Sequence, residues 1–288
     1  MLAILIGIFA ATCWSAHDLF ARKFAAAIGS YRMAMATMLV GAALLSGFVV
    51  VSGSILRASS STIGLLLVLG IIYGVAVSSL FKAFSYAPIS IVGPFTAGYP
   101  ALVVLWGLFT GLTPSLLQYA AVVLILAGAV VVGRTGPDDG GIRSVAKDKV
   151  MPMIAFCFLA VTSFAAAVVL GQVISSQLGE LETTSLSRLP AALFLVPFVL
   201  FEKPETAKIG SAAWGGIFIM ASLDVAAVAA INYLGRLPGK EFGAMGISAY
   251  GAISVLFAMI ILKEKVTAWQ WAGIAMIVVG VAVLGSPV

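Results

Sequence analysis

The stretch QWAGIAMIVVGVAVLG, residues 270–285, repeats the pattern of an earlier stretch, QYAAVVLILAGAVVVG, residues 118–133. At a constant offset of 152 positions, six residue pairs are identical and most of the others are apolar. The identical pairs are Gln118/Gln270, Ala120/Ala272, Ile125/Ile277, Gly128/Gly280, Val131/Val283 and Gly133/Gly285. Small residues two helical turns apart, such as Ala121 with Gly128, allow a neighbouring helix to approach closely. The two stretches therefore predict duplicated, closely packed helices.

The composition identifies the class of protein. Apolar residues make up 62% of the chain and charged residues only 9%, whereas about 25% of residues are charged in typical soluble domains. The number of polar side chains is too small to cover a water-facing surface. The sequence therefore predicts a membrane protein. In lipid every backbone amide must be bonded within its own segment, and runs of about 20 apolar residues are therefore expected to be helices. The predicted fold class is all-α.

Charges, prolines and polar clusters divide the chain into ten candidate membrane spans. The predicted spans are 2–21, 31–52, 63–81, 89–110, 116–133, 152–175, 184–202, 212–232, 242–262 and 268–285. The longest connecting segment, residues 134–149, has the glycine, proline and aspartate composition of a linker. The predicted organisation is a first five-helix repeat over residues 1–135, a linker loop over 136–150 and a second five-helix repeat over 151–288.

The duplication extends to the other spans. At an offset of 150, ILIGIFAATCW (residues 4–14) aligns with IAFCFLAVTSF (residues 154–164) and pairs Trp14 with Phe164. Further matched positions are Ala87 and Pro88 with Leu237 and Pro238, and Arg32 with Arg188 near the start of the second span of each half. The same order of motifs across five spans indicates an internal repeat.

An odd number of spans places the second repeat in the opposite orientation across the membrane. Lysine and arginine collect in cytoplasmic loops and so report this orientation. One set of loops contains Arg22, Lys23, Lys82, Arg134, Arg143, Lys147, Lys149, Lys203, Lys208, Lys263 and Lys265, and the other contains only Arg57, Arg236 and Lys240. Two inverted repeats with both chain termini extracytoplasmic are therefore expected. The net charge of +5 reflects this topology rather than a nucleic-acid surface.

These motifs together resemble the drug/metabolite transporter superfamily, and within it the ten-helix EamA-type exporters. The resemblance rests on the five-plus-five repeat, the Gln…Gly…Gly pattern of the last helix in each half, Arg32 and Arg188, and LKEK at residues 262–265 after the ninth span. An acidic residue is typical after the ninth helix of such exporters, and Glu264 matches it. Leu112 occupies the corresponding position of the first half.

The resemblance also implies an architecture and a class of activity. The first, third, fourth, sixth, eighth and ninth helices would surround a central cavity, while the fifth and tenth brace the outside. Such exporters move metabolites, amino acids or drugs, several of them by exchange or proton coupling. The fourth span contains Pro94 and Pro100, as in the family, whereas the ninth contains no proline. Strict symmetry of these two gating helices is therefore not expected.

Asp224 is the acidic residue nearest the middle of a predicted span, within MASLDVAAVAAIN at residues 220–232. Ionisable groups inside apolar spans are costly and usually face a cavity or a partner. Two interpretations are open. Asp224 binds a substrate ammonium group or exchanges protons, or it is a carboxylate satisfied by hydroxyl groups or an arginine.

Other polar residues within the spans have weaker signals. His17 and Asp18, late in the first span, are interpreted as a solvated or capping pair near the interface, with a coupling role as the alternative. Lys82 and Asn232 are candidates for contacting an anionic substrate group, although a lysine at that depth commonly snorkels to the interface. Arg32 and Arg188 are interpreted as structural.

Five aromatic residues fall within the helices expected to line the cavity: Trp14, Tyr73, Tyr99, Phe164 and Tyr250. Each alone is typical of packing or of an interfacial anchor. As a set near a pseudo-twofold axis, they favour binding of an organic substrate with an apolar part.

Several functions other than transport are disfavoured by the sequence. The chain contains one histidine and no cluster of cysteine, histidine and acidic residues with metal-ligand spacing, so neither an intramembrane enzyme nor a metal or cofactor is expected. It lacks the GxxxxGK[ST] pattern, so direct ATP hydrolysis is not expected. A channel is disfavoured because no ring of charges or filter segment is present. A lipid flippase and a non-transporting membrane scaffold remain alternatives.

The sequence therefore predicts a secondary transporter of the bacterial inner membrane. Inverted helical repeats are typical of transporters that expose a midplane site to each side in turn. The predicted activity is export of small organic metabolites by alternating access, with amino acids favoured over drugs. The expected partners are the small-molecule substrate, the lipid bilayer and protons, and the chain is expected to be a monomer or a homodimer.

Overall fold

The computed structural model describes residues 1–53, 56, 58–133, 145–203, 210–263 and 266–285. These residues form thirteen helices and no strand: α1 (Leu2–Ile28), α2 (Ser30–Ser52), α3 (Ser60–Tyr86), α4 (Ile89–Thr96), α5 (Tyr99–Phe109), α6 (Leu116–Gly133), α7 (Lys147–Leu178), α8 (Glu180–Leu186), α9 (Arg188–Phe201), α10 (Ser211–Leu234), α11 (Lys240–Gly246), α12 (Ala249–Ile261) and α13 (Ala268–Gly285).

The helices make up ten apolar spans, because α4 with α5, α8 with α9, and α11 with α12 are each one interrupted span. Eight of the spans are long and apolar enough to cross a membrane, and α6 and α13 are shorter apolar helices. The predicted all-α, ten-helix membrane fold is confirmed.

Several spans extend beyond their predicted bounds, and α1 and α7 show the reason. Helix α1 continues to Ile28 because Arg22 and Lys23 lie on the helix rather than in a loop. The guanidinium of Arg22 donates from Nη1 to the carbonyl oxygen of Phe84 at 2.9 Å. Helix α7 likewise begins at Lys147, within the segment predicted as linker. Charged residues are therefore not reliable markers of where these helices end, because both helices include charged residues that the sequence analysis placed in loops.

Proline explains two of the three interrupted spans. Pro100 and Pro190 have no backbone N–H to donate to the carbonyls of Thr96 and Leu186, four residues earlier, and their rings crowd those carbonyls. Helix α4 ends at Thr96 and helix α8 ends at Leu186.

The ninth span is interrupted without a proline. It breaks at residues 247–248, which are 150 positions after the break at residues 97–98 of the fourth span. The backbone N–H of Tyr250 donates to the carbonyl of Ile247 at 2.9 Å, so the chain tightens into a 3₁₀-type turn. The fourth and ninth spans therefore break at equivalent positions, and the asymmetry expected from their difference in proline content is wrong at this point.

Arg188 lies deeper in its span than the sequence indicated. The second spans of the two halves begin after Gly29 and Gly179, whose φ angles of 100° and 106° favour glycine. Arg32 is the third residue of α2, whereas Arg188 lies eight residues after Glu180, the first residue of α8. The expected equivalence of the two arginines is wrong because the predicted seventh span began too late.

The two halves of the chain pack against each other in a reciprocal pattern. Helix α1 packs along α10 and against α11 and α12, while α7 packs along α3 and against α4 and α5. Helix α2 packs against α9, α4 against α12, and α6 against α13. Each span of the first half thus has a partner span in the second half.

Helices α6 and α13 approach closely at glycine residues. A Cβ atom added at Gly128 would lie 2.7 Å from the carbonyl oxygen of Gly273, and one at Gly280 would lie 3.0 Å from that of Ala121. The close packing predicted from these small residues is confirmed.

The repeated glutamines begin these two helices through capping boxes. The side-chain oxygen of Gln118 accepts from the N–H of Ser115 at 2.8 Å, and the N–H of Gln118 donates to Ser115 Oγ at 3.3 Å. Thr267 and Gln270 make the same two bonds at 2.9 and 3.2 Å. This reciprocal pair satisfies backbone groups at a helix start, so the repeated glutamine has a structural role.

Gln270 makes a further contact that ties α13 to the fourth span. Its Nε2 donates to the carbonyl oxygen of Ser90 at 3.3 Å, a carbonyl to which Pro94, four residues later, supplies no N–H.

Replacing Gln270 with leucine is expected to destabilise the chain more than the same change at Gln118. Both substitutions remove a cap bond, which contributes about 1 kcal/mol. Only Gln270→Leu also removes the bond to Ser90, which adds about 1 kcal/mol. Thermal unfolding of the two variants in detergent measures the difference. Equal losses of stability would contradict a contribution from the bond to Ser90.

Candidate functional site

A buried chamber lies where the two halves of the chain meet. Its cavity volume is about 20 Å³, enough for about one water molecule. Seven helices supply its walls: α1, α3, α4, α5, α7, α10 and α12. The lining residues are Trp14, His17, Asp18, Tyr73, Val77, Leu80, Thr96, Tyr99, Phe164, Asp224 and Tyr250. We call it the central chamber. It brings together all five predicted aromatic residues and the three predicted coupling candidates, Asp224, Asp18 and His17.

Asp224 is bonded through both of its carboxylate oxygens. Its Oδ1 accepts from Trp14 Nε1 at 3.0 Å and from the hydroxyl of Tyr73 at 2.5 Å. Its Oδ2 accepts from Nη2 of Arg188 at 2.6 Å. The negative charge is therefore balanced within the protein, as in the interpretation of a carboxylate satisfied by hydroxyls or an arginine. A direct role of Asp224 toward substrate or protons stays a prediction.

Arg188 contacts Asp224 but is not one of the residues that line the central chamber. It is fully buried, and its Nη1 donates to the carbonyl oxygen of Thr184 at 2.7 Å. A Cβ at Gly41 of α2 would lie 2.5 Å from Arg188 Nε, so the glycine leaves room for the guanidinium. Arg188 thus links α8, α9 and α10 at the chamber wall and is shielded from the chamber itself.

His17 and Asp18 form a second polar group in the chamber. They are 4% and 1% exposed, so the interpretation of a solvated or capping pair is wrong. Helix α1 continues for ten residues beyond Asp18, which places the pair well inside the bundle. Nδ1 of His17 lies 2.8 Å from Asp18 Oδ1, and the hydroxyl of Tyr250 donates to Asp18 Oδ2.

Four of the aromatic residues pack against one another in tilted and T-shaped arrangements. The ring centroid of Phe164 lies 5.8 Å from that of Trp14, 6.1 Å from that of Tyr73 and 5.7 Å from that of Tyr99. Trp14 and Tyr99 are 6.2 Å apart. These separations are typical of favourable aromatic pairs, and through them Phe164 of the second half packs against three aromatic residues of the first half.

A second chamber lies on the other side of this aromatic layer. Its cavity volume is also about 20 Å³, and it shares only Trp14, Tyr73 and Phe164 with the central chamber. Its other lining residues are Leu69, Ala167, Val168, Gly171, Ser187, Val228, Ile231 and Asn232. Along α3 it lies toward the N-terminal end, from Leu69 to Tyr73, whereas the central chamber extends from Tyr73 to Leu80. We call it the second chamber.

Lys82 and Asn232 lie outside the central chamber. The ammonium of Lys82 sits 5.7 Å from the ring of Tyr31 and 5.9 Å from that of Tyr86, in an open cleft with a cavity volume of about 620 Å³ at the end of the bundle. Asn232 lines the second chamber, where its Nδ2 donates to Thr184 Oγ1 at 3.0 Å. The structure thus separates these two candidates from the acidic groups.

Other predicted positions lie away from both chambers. The backbone N–H groups of Tyr31 and Arg32 donate to the carboxylate of Glu202 at 3.1 and 3.0 Å. This places a negative charge at the start of α2, where the helix dipole favours it. Glu264 lies outside the described residues. Among the residues that are described, no group of three or more histidine, cysteine or acidic side chains could hold a metal ion.

The sequence did not predict that Arg188 pairs with Asp224. It also did not indicate the two serines that lie beside Tyr250. Ser254 Oγ donates to Ser15 Oγ at 3.0 Å, and Ser15 Oγ lies 3.3 Å from the carbonyl oxygen of Tyr250, to which it donates. Ser15 precedes His17 and Asp18 on α1, so a run of polar residues in an apolar helix was the available signal.

Comparison with known families identifies the chain. The sequence profile of the EamA-like transporter family matches residues 1–134 and again residues 151–286. The chain belongs to this family. As an EamA-like protein it is a membrane transporter or exporter of small molecules, and the resemblance inferred from its sequence is confirmed. Transport rather than enzymatic activity is what the family performs, in agreement with the prediction.

Comparison with solved structures gives the same fold for this EamA-like chain. One crystal structure superposes with a TM-score of 0.76, covering 98% of this chain and 95% of the other, at 21% sequence identity. No curated protein matches the sequence.

Proposed function

We propose that this EamA-like protein is a secondary active transporter that exports small organic metabolites, with amino acids favoured, across the bacterial inner membrane. The observation that carries the proposal is the central chamber, a cavity between the two half-bundles that is lined by two buried carboxylates and an aromatic wall. A concave site with a few convergent polar groups suits a small organic molecule. Coupling of transport to proton movement or to exchange belongs to the same proposal.

The reciprocal packing of the two halves supports transport by alternating access. We propose that residues 1–135 and 151–288 are inverted five-helix repeats joined by residues 136–150. The equivalent breaks in the fourth and ninth spans lie beside Tyr99 and Tyr250, as in transporters whose interrupted helices surround the substrate. Rocking of one half against the other would open the chamber to either face. The lysine and arginine bias then places both termini outside the cytoplasm.

Lipid movement and drug efflux are the competing functions. The central chamber favours a substrate with polar groups over a purely apolar one, because His17 Nε2 and the hydroxyl of Tyr99 are buried there without a hydrogen-bond partner among the described residues. A drug with a cationic group would meet that requirement as an amino acid does. A flippase or a scaffold would instead respond to lipids alone.

Thermal unfolding of the purified chain with amino acids, nucleosides, sugars, lipids and cationic drugs tests the proposal. A ligand that binds only the folded state at one hundred times its Kd stabilises it by about 2.7 kcal/mol. We expect an amino acid to stabilise the chain, and Tyr250→Phe to reduce this effect. Tyr119→Phe, a change on the exposed face of α6, is the matched control. Stabilisation by lipids only would favour the flippase or scaffold.

Alternating access predicts opposite changes in labelling at the two ends of the bundle. Ser85 lines the cleft at the Lys82 end, and Ser176 lines a second cleft with a cavity volume of about 410 Å³ at the other end. Single cysteines at these positions, in a chain whose buried Cys13 and Cys157 are replaced by alanine, report solvent access. A stabilising ligand is expected to raise maleimide labelling at one position and lower it at the other. A change of the same sign at both would contradict rocking of the two halves.

A further inference from the structure

The open cleft beside Lys82 is much larger than either chamber. Its cavity volume is about 620 Å³, against about 20 Å³ for each chamber, and sites for small molecules commonly measure about 300–1,000 Å³. Helices α1, α2, α3 and α9 form its walls. Its lining includes Tyr31, Lys82, Ser85, Phe198, Phe201 and Lys203. We call it the basic cleft.

Lys82 brings a positive charge to the basic cleft that no described anion pairs with. The side chain is half-buried, and its ammonium lies near the rings of Tyr31 and Tyr86. Neither a hydrogen bond nor an ion pair joins this ammonium to another residue of the described chain. Lys203, which follows the end of α9, brings a second positive charge. Each ammonium has three hydrogens to donate, so the two lysines together suit an anion.

Glu202, an acidic residue in the lining of the basic cleft, is occupied by α2. Its two carboxylate oxygens accept from the backbone N–H groups of Tyr31 and Arg32 at 3.1 and 3.0 Å. The dipole of α2 favours a negative charge at this end of the helix. The carboxylate is therefore satisfied without either lysine, and the basic cleft keeps an excess of positive charge.

The basic cleft continues onto the apolar outer surface of the bundle. Phe198 and Phe201 are 40% and 86% exposed, and both belong to a span that is long and apolar enough to cross a membrane. The ring of Phe198 stacks on that of Tyr31 with a centroid separation of 5.3 Å. Tyr31 thus lies between the ammonium of Lys82 and the lipid-facing rings. A ligand with a charged head and an apolar tail would contact both surfaces, whereas a small soluble anion would contact only the lysines.

We propose that the basic cleft binds an anionic phospholipid. The phosphate lies between Lys82 and Lys203, and an acyl chain lies along Phe198 and Phe201. Basic pockets between membrane helices suit anionic head groups, and the proposed topology puts this cleft at the cytoplasmic leaflet. Lys82 belongs to the first half of the chain and Lys203 to the second, so one head group contacts both half-bundles. The lipid is a ligand at the edge of the protein, separate from a substrate in the central chamber.

Two lipids with the same acyl chains test the head group. Dioleoylphosphatidylglycerol and dioleoylphosphatidylcholine are titrated against the full chain in a non-ionic detergent, and native mass spectrometry counts the bound lipids. The anionic lipid is expected to bind about tenfold more tightly than the zwitterionic one, because lysines attract anionic head groups. Equal affinity for the two lipids would overturn the proposal.

A soluble anion tests whether the apolar tail contributes. Glycerol 3-phosphate has a comparable phosphate but no acyl chain, so it buries no apolar surface against Phe198 and Phe201. It is expected to bind about tenfold or more weakly than dioleoylphosphatidylglycerol. Lysine-dependent binding of glycerol 3-phosphate with the affinity of the anionic lipid would overturn the assignment to a lipid and make the basic cleft a site for soluble phosphates.

Single lysine variants locate the phosphate. Lys82→Gln and Lys203→Gln are each expected to weaken binding of dioleoylphosphatidylglycerol by about fivefold, the effect of one lysine near an anionic lipid surface. Lys240→Gln removes a lysine from the cleft at the other end of the bundle and is the matched control. Lys203 is exposed, so its variant tests the site even if Lys82→Gln fails to fold. Unchanged affinity in Lys203→Gln would overturn the placement of the phosphate.

Filling the basic cleft tests the site by a route that leaves the lysines in place. Ser85→Trp adds bulk inside the basic cleft, and Ser176→Trp adds the same bulk in the cleft at the other end. The two serines are well matched, because each hydroxyl donates to the carbonyl oxygen three residues earlier at 2.7 Å. Ser85→Trp is expected to weaken binding of the anionic lipid by about tenfold, the order of effect of overfilling a packed site. Equal binding by the two variants would place the lipid elsewhere.

Amino-acid binding separates the lipid site from the proposed function. Lys203→Gln is expected to weaken lipid binding while leaving stabilisation by an amino acid unchanged, because Lys203 does not line the central chamber. Lysine-dependent lipid binding in a chain that no amino acid stabilises would contradict only the proposed function. Stabilisation by an amino acid in a chain that binds the two lipids equally would contradict only the lipid site.

Discussion

Replacing Arg188 with methionine is expected to destabilise the folded chain by about 3–5 kcal/mol, the usual effect of leaving one member of a buried ion pair without its partner. Both Arg188 and Asp224 are shielded from solvent, at 0% and 2% exposure, and their charged atoms are 2.6 Å apart. Methionine matches much of the volume of arginine but cannot donate to Asp224 Oδ2 or to the carbonyl of Thr184. The measurement is chemical or thermal unfolding in detergent.

The double variant Arg188→Met with Asp224→Asn distinguishes a loss of charge balance from a loss of packing. Asparagine removes the unpaired charge and can still accept from Trp14 and Tyr73, so we expect the double variant to be more stable than Arg188→Met alone. Lys23→Met removes an exposed cation from α1 and should change stability by less than about 0.5 kcal/mol. A double variant no more stable than the single one would show that Arg188 acts through packing.

The sequence predicted the number and type of the spans because their lengths and charges are local properties. Residues 116–133 and 268–285 match α6 and α13 in both bounds, since a capping box and glycine mark their ends. The first and seventh spans were predicted too short for the same reason, because charged residues at their ends lie within helices. Charged Arg22 lies within a helix, and the helix before Pro190 begins four residues earlier, at Glu180, than the apolar run suggested.

The composition of the central chamber was harder to predict. Nearly every face of these helices is apolar, so periodicity does not tell which face lines a cavity. Asp224 could be singled out because a carboxylate in an apolar run is rare, and the aromatic residues could be singled out as a set. The pairing of Asp224 with Arg188 could not, because it depends on the rotation of α9 against α10. The misjudged depth of His17 and Asp18 followed from placing the end of α1 too early.

A single methyl group at Gly7 is expected to have a large effect, because it falls where α1 crosses α11. A Cβ there would overlap the carbonyl oxygen of Gly243 and lie 3.1 Å from the Cα of Gly246. These are backbone atoms, which cannot move aside as a flexible side chain can. Gly7→Ala is therefore expected to reach the upper part of the range of about 1–3 kcal/mol for overpacked cores.

Gly7→Ala should also weaken binding at the central chamber, because α1 carries Asp18 and α11 leads into the turn before Tyr250. Forcing the two helices apart lengthens the hydrogen bond between these side chains. Gly215→Ala is the matched control, since no heavy atom of the described chain lies within 4 Å of the added Cβ. Without a steric penalty, the better helix propensity of alanine is expected to stabilise that variant by up to about 1 kcal/mol. Unfolding of both variants, and titration with an amino acid that stabilises the unsubstituted chain, measure the two effects. If Gly7→Ala were as stable as Gly215→Ala, the close crossing of α1 and α11 would not be required for the fold, and the contact between Asp18 and Tyr250 would have to be maintained by other packing.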